Sequence, residues 1–213
     1  MGKVVKVVGL CGSPHPEGNT AQLIKKVLEG AQSAGAETVF ISLGSKRISF
    51  CRACYMCVGR GQCIIEDDLG EIRKMLLECE GAVIGSPTYE REITGQMKTF
   101  FDRIWLDFHN ESFLGRYAVC VNTHYLSGGH STRTLINLSI ALGYAVVGSV
   151  ESRLAEFGRV SNDSKAQQKA FRMGIKLVEN IQQQRRYFSQ EIIRRLFIRP
   201  FFKKIERRLQ KIP

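Results

Sequence analysis

Five short apolar runs, each separated from the next by residues with helical spacing, restrict this chain more than any other feature. Val4 to Leu10, Thr38 to Leu43, Ala82 to Gly85, Tyr117 to Asn122 and Ala145 to Val150 read as strands. Between them apolar side chains recur at Ala21, Ile24, Val27, Leu28 and Ala31, at Leu69, Ile72 and Leu76, at Ile93, Met97, Phe100 and Ile104, and at Leu135, Leu138 and Leu142. That is the period of amphipathic helices, and a long one follows from Lys165 to about Gln184. The strands do not alternate polar with apolar, so helices must cover both sheet faces. The pattern predicts an α/β fold built on a doubly wound, five-stranded parallel sheet. Asn19-Thr20 and Asp67-Asp68 are expected to cap helices, and Ser86-Pro87 to stop the third strand.

Composition narrows the class. Of 213 residues, 44% are hydrophobic and 24% charged, which excludes a disordered chain. No uncharged apolar stretch approaches 18 residues, so no spanning helix is expected. The N-terminus enters a strand without a signal-peptide core, which predicts a cytoplasmic protein. The net charge of +11 is uneven: Arg185 to Pro213 holds ten Lys/Arg against Glu191 and Glu206, or +8 of that total. Residues 1–185 therefore read as one nearly neutral domain and 186–213 as a basic amphipathic helical extension. In the extension Ile192, Leu196, Phe197, Phe201, Ile205, Leu209 and Ile212 recur at helical spacing, and Pro200 is expected to break or kink the helix. Such a segment suits docking to a domain or partner subunit, or an anionic membrane surface. Nucleic-acid binding is not expected, because no base-reading motif accompanies the charge.

Gly12-Ser13-Pro14-His15-Pro16-Glu17-Gly18-Asn19-Thr20 lies between the first strand and the first helix. A helix start presents unpaired N–H groups and partial positive charge, so an anion belongs there. No Lys follows Gly18 as a Walker loop requires, and Gly-x-Gly-x-x-Gly is absent. A hydroxyl-rich loop without lysine suits the single phosphate of flavin mononucleotide (FMN); an ordinary turn with a helix cap is the alternative.

Four of the seven cysteines fall within thirteen residues, as Cys51-x2-Cys54-x2-Cys57-x5-Cys63, in a Cys-rich insert at 48–66. Four thiolates this close fit one [4Fe–4S] cluster. Free or redox-active thiols and zinc are the alternatives. Ferredoxin runs send their fourth cysteine to a second cluster and follow it with proline; here Ile64 follows Cys63. Cys11, Cys79 and Cys120 lie on apolar stretches and read as small core residues.

Gly12-Ser13-Pro14 … Gly18-Asn19-Thr20 resembles the phosphate loop of flavodoxin-like NAD(P)H-dependent FMN reductases. The resemblance continues through Ser86-Pro87-Thr88-Tyr89, through Gln96-Met97-Lys98 … Phe101-Asp102-Arg103 and through Thr123 to Gly129, spanning about residues 4–150. The cysteine motif is similar to that of the iron–sulfur flavoprotein branch. The resemblance implies a flavodoxin-like fold with FMN and a [4Fe–4S] cluster as cofactors. Ser13, His15, Gly18, Asn19 and Thr20 would hold phosphate. Pro87, Thr88 and Tyr89 would line the flavin ring, and His124, Ser127 and Gly129 its other side. Cys51, Cys54, Cys57 and Cys63 would hold the cluster, with Arg52, Arg60 and the Gly59 and Gly61 amides offsetting its charge. Asp102 and Arg103 read as structural partners, and no side chain is assigned as a catalytic acid or base. The resemblance also implies a homo-oligomer in which clusters approach neighbouring flavins. The function implied is an electron-transfer oxidoreductase linking a one-electron carrier, such as ferredoxin, to a two-electron acceptor. An NAD(P)H-dependent FMN or quinone reductase using FMN alone is the second reading, and a flavin-dependent scaffold acting through the tail the third.

Overall fold

The computed structural model describes residues 4–154 and 158–209. Five strands form one parallel sheet: β1 (Lys6–Cys11), β2 (Glu37–Ser42), β3 (Gly81–Tyr89), β5 (Tyr117–His124) and β6 (Ala145–Arg153). Their order is β2-β1-β3-β5-β6, with a two-residue strand β4 (Glu92–Ile93) antiparallel to the end of β3. The order reverses between β1 and β3, which opens a crevice beyond their carboxyl ends.

Successive strand residues point to opposite faces, and both faces are apolar. Val83 and Val119 are buried on one side, Ile84 and Cys120 on the other. The first face is covered by α1 (Asn19–Ser33) and α7 (Ser164–Gln182), through Ile24, Val27 and Leu177. The second is covered by α3 (Leu69–Glu78), α4 (Gly95–Arg103), α5 (Trp105–Asn110) and α6 (Gly129–Ala141), through Ile72, Phe100, Phe108 and Leu135. A short α2 (Met56–Arg60) lies inside the cysteine-rich insert. Cys11, Cys79 and Cys120 are buried as expected, and burial pushes the Cys11 and Cys79 thiols up to about 11.

Three local expectations are corrected. The first helix begins at Asn19 with Gly18 as its cap residue, and no side chain caps it. At α3 the cap residue Asp68 makes no capping bond; Asp67 Oδ1 instead accepts the Leu69 N–H at 3.2 Å. Third, β3 does not stop at Ser86-Pro87 but runs through Pro87, in register with Thr123, to Tyr89. Its other neighbour, β1, has already ended opposite Gly85, and a strand with one free edge tolerates proline. The chain then reverses over Glu90 and Arg91, both at positive φ (44° and 69°), as a two-residue hairpin turn requires.

The extension folds as α8 (Phe188–Ile193), a π-helical turn over Arg194–Ile198, and α9 (Arg199–Leu209). Pro200 does not break the helix: it is the second residue of α9, in the first turn after the wide one, where a residue that cannot donate backward along a helix is accommodated. The segment docks on its own domain. Gln190 gives and accepts one hydrogen bond with the backbone of Val146, both 2.8 Å, acting as a strand partner on edge strand β6. Arg194 pairs with Glu111 at 2.9 Å, and Phe202 packs on the rings of Phe108 and His109.

Helices α1 and α7 cross with their backbones in contact. A Cβ at Gly30 would lie 1.9 Å from the Phe171 carbonyl oxygen, and one at Gly174 would lie 1.9 Å from that of Val27. Neither carbonyl can move without unwinding its helix. Gly174→Ala is expected to cost about 3 kcal/mol, the upper end for overpacking, and to lower the midpoint of thermal unfolding by roughly 6–12 °C. Gly70, on α3 with open space around it, is the contrasting site. Gly70→Ala is expected to raise the midpoint slightly, by up to about 1 kcal/mol of helix propensity.

Candidate functional site

The loop after β1 closes on itself before α1 starts. Ser13, 4% exposed, accepts the His15 N–H at 3.1 Å through Oγ, and the Gly18 N–H bonds to the His15 carbonyl at 3.1 Å. No acidic side chain occupies the first turn of α1. An uncapped helix start with a hydroxyl beside it is a place for an anion. Thr20 is buried and shares a 2.6 Å hydrogen bond with Thr123 at the end of β5. Asn19 is committed elsewhere: Nδ2 donates to the Gly158 carbonyl and Oδ1 accepts the Val160 N–H. Its amide fastens that segment to the helix start. The His15 side chain is exposed.

The loops after β3 and β5 converge on the same crevice. Thr94, fully buried, caps α4 by accepting the Met97 N–H, donates to the Gly12 carbonyl at 2.5 Å, and gives its own N–H to Ser86 Oγ. It thereby ties the ends of β1 and β3 together. Asn122 is the second hub. Its Nδ2 donates to the Ser86 carbonyl and Thr88 Oγ1, and its Oδ1 faces His124 Nδ1 at 3.1 Å. Thr88 Oγ1 also donates to Ser131 at 3.0 Å. Burial lowers the His124 pKa, which favours the neutral ring. Gly128 is the glycine this arrangement needs: a Cβ there would come within 2.1 Å of His124 Nδ1 and 2.4 Å of Asn122 Oδ1. Gly129 has open space. Pro87 and Thr88 are half-buried, while Tyr89 and Ser127 are exposed at the rim.

Sequence reasoning missed Thr94, Asn122, Gly128 and Ser131. Thr94 carried a readable sign, being a threonine just before a helix. The others work through partners far away in the chain.

The cysteine-rich insert springs from the loop after β2, next to β1 in the sheet. Ala53 and Tyr55 take positive φ (50° and 55°), Tyr55 starts α2, and Gly61 ends it at φ 72°. Cys51 and Cys54 are exposed, Cys57 and Cys63 half-buried. Burial pushes the Cys57 thiol up, and the nearby charges of Cys63, Cys51 and Cys54 push the same way. Four soft thiol donors within one short loop have the chemistry of a cluster or metal site. Among the described residues, no three His, Cys, Asp or Glu side chains converge in ligand geometry.

Arg103, at the end of α4, clamps the insert at both ends. Its Nη1 donates to the Ser49 carbonyl (2.6 Å) and Asp67 Oδ2 (2.7 Å), and its Nη2 to the Ile65 carbonyl and Asp67 Oδ1. Asp67 Oδ2 also accepts the Ser49 N–H at 2.9 Å. The Arg103 side chain is fully buried and that of Asp67 is 8% exposed. Burial opposes charge on Arg103, but Asp67 and Cys63 beside it outweigh that and raise its pKa. The partner of Arg103 is thus the cysteine insert. Beneath it a cavity of about 320 Å³ is lined by Cys57, Cys63, Asp67, Arg73, Arg103 and Asp107 among others. Arg73 and Asp107 form a bidentate pair there, at 2.8 and 2.7 Å. An aromatic column links the insert to the extension: Tyr55 meets Trp105 edge-on at 5.9 Å, Trp105 meets His109 at 4.1 Å, and His109 meets Phe202 of the extension at 4.7 Å.

Removing one partner of a buried pair leaves the other uncompensated, so Arg103→Met is expected to cost about 3 kcal/mol in chemical denaturation. Burial tends to raise the Asp67 pKa, but Arg103 and the Ser49 and Leu69 amides bring it below its usual 3.8. A carboxylate whose folded pKa is depressed stabilises the fold above its unfolded pKa. That contribution is lost as pH falls from near 4 through the lower folded value. Asp67→Asn should flatten this part of the stability–pH curve while leaving its shape between pH 6 and 8 unchanged (about the range where carboxylates stay ionised).

A family model described as NADPH-dependent FMN reductase matches residues 5–157. An iron–sulfur flavoprotein of Methanocaldococcus jannaschii is 43% identical over 99 residues, covering 46% of this chain and 51% of that protein. An iron–sulfur flavoprotein of Archaeoglobus fulgidus is 31% identical over 149 residues, 67% of this chain and 68% of that protein. The chain thus spans about half the length of the first relative and two thirds of the second. Among solved structures, a flavone reductase superposes with a TM-score of 0.67 at 18% identity, over 84% of this chain and 63% of that one. An archaeal flavodoxin does so with a TM-score of 0.53 at 16% identity, over 84% and 99%. These superpositions establish the flavodoxin-like fold. With the matched segment running from β1 through β6 and containing every loop described above, the chain belongs to the NADPH-dependent FMN reductase family, in its iron–sulfur flavoprotein branch.

Proposed function

We propose that this protein is an FMN-dependent oxidoreductase that also holds a [4Fe–4S] cluster and couples a one-electron carrier to a two-electron acceptor. One observation carries the reading: the uncapped start of α1 faces a crevice whose three walls are pinned together by Thr94, Asn122 and the Thr20–Thr123 bond. A crevice held this firmly is pre-organised for a flat ligand with one terminal anion. Ser13, His15, Gly18, Asn19 and Thr20 bind the phosphate, Asn19 through its backbone N–H. Pro87, Thr88 and Tyr89 line one side of the ring, and His124, Ser127 and Gly129 the other. Cys51, Cys54, Cys57 and Cys63 ligate the cluster, and Arg103 with Arg52 and Arg60 offsets its negative charge. When bound, a flavin exchanges one or two electrons and an iron–sulfur cube one at a time. The chain positions the two centres, tunes their surroundings and excludes water. Family resemblance supports a homo-oligomer, and thiol ligation suits a reducing compartment such as the cytoplasm.

Protein prepared without air and dialysed after incubation with FMN is expected to keep a stoichiometric flavin, with about four irons and four sulfides per chain. Cys57→Ser should remove most of the iron and leave the flavin. Fewer than about two irons at full flavin occupancy rejects the cluster; loss of the flavin on dialysis rejects the whole proposal.

The match to a family model described as NADPH-dependent FMN reductase supports a second reading, an NAD(P)H-dependent FMN or quinone reductase that works with FMN alone. Rapid mixing separates the two. Direct reduction by NAD(P)H at a catalytic rate supports the second, and reduction only by a one-electron donor supports the first.

A further inference from the structure

The basic extension plays no part in the function proposed above, and its outer face lacks a partner among the described residues. Its inner stripe is spent: Gln190, Arg194, Ile198 and Phe202, four residues apart, dock it to the domain. The opposite side carries Ile192, Ile193, Leu196, Phe197 and Phe201, all large, apolar and between 46% (Ile193) and 69% (Phe197) exposed. Arg195, Arg199, Lys203 and Lys204 are exposed on the same segment. An α-helix repeats every 3.6 residues, so stripes spaced by four would drift around it. The wider turn at Arg194–Ile198 counteracts that drift. The domain cannot cover the ridge, because the helix already faces the domain with its other side.

We infer that this ridge is an anionic-lipid docking surface: the apolar side chains enter the headgroup–acyl boundary while the four cations meet lipid phosphates. Charge selects this occupant. A second copy would set four exposed cations against four more, at a Coulombic cost. A membrane surface instead supplies negative charge at the level where long basic side chains extend from a partly immersed helix. No helix among the described residues is long and apolar enough to cross a bilayer, so the contact is peripheral. An apolar ridge alone binds weakly and basic residues alone bind reversibly, but the two combined give firm attachment.

Co-sedimentation of the full chain with vesicles tests this, comparing phosphatidylglycerol mixed into phosphatidylcholine with pure phosphatidylcholine, at low and high salt. The expected result is binding to the anionic vesicles that high salt weakens, and little binding to the neutral ones. Each of Arg195→Gln, Arg199→Gln, Lys203→Gln and Lys204→Gln should lower partitioning about fivefold. Phe197→Ser with Phe201→Ser should lower it by about tenfold or more. These side chains point away from the core, and unchanged circular dichroism and flavin retention check that the variants fold. Absence of binding, equal binding to neutral vesicles, or variants that sediment like the parent overturns the proposal. So does sedimentation equilibrium without lipid in which the parent self-associates and the double serine variant does not, which would assign the ridge to a second copy. The flavin and iron measurements are independent of all these outcomes.

Discussion

The hydroxyl of Thr94 holds the ligand crevice in shape. It accepts a hydrogen bond from the first turn of α4 and donates one to the Gly12 carbonyl, and the Thr94 amide is anchored on Ser86. One small side chain thus joins the ends of β1 and β3, the two strands between which the sheet reverses. A reversal splays the helices to either side and leaves the intervening loops without neighbours. Buried and saturated with hydrogen bonds, Thr94 fixes how far apart those loops stand. Gly12 takes part in the same closure, since a Cβ there would collide with Met97 at 2.7 Å.

The cysteine insert is held by a different kind of interaction. A short loop whose large apolar residues Phe50, Tyr55, Met56 and Ile64 are exposed has little core of its own. It is gripped at its base by the buried Arg103–Asp67 pair, whose hydrogen bonds reach Ser49 on the way in and Ile65 on the way out. Its ends are held firmly, while Cys51 and Cys54 in its middle stay exposed. The same guanidinium lies beside Cys63, so the group that fastens the insert also supplies positive charge to it.

The fold was legible because strands and helices obey local periods, and apolar residues on both strand faces have one common architectural solution. Expectation failed where a partner is remote in sequence. Asn19 reads as a free cap, yet its amide is claimed by residues 158 and 160. Arg103 reads as a structural partner, but only the packed structure shows that what it clamps is an insert some fifty residues earlier. Glu90-Arg91 carries none of the glycine or asparagine that announces a tight hairpin, so β4 was invisible. Of the adjacent glycines 128 and 129, only the packing of His124 and Asn122 reveals which one needs to lack a side chain.

The aromatic column has an optical consequence. Trp105 is the chain's only tryptophan, and its indole is wedged between Tyr55, inside the cysteine motif, and His109, which bears on the docked extension. Intrinsic emission from this molecule therefore comes from one indole that touches two otherwise separate regions. An inorganic centre forming around the sulfurs would quench it, and lifting of the terminal helix would change the polarity around it. The native chain reports on both without any added label.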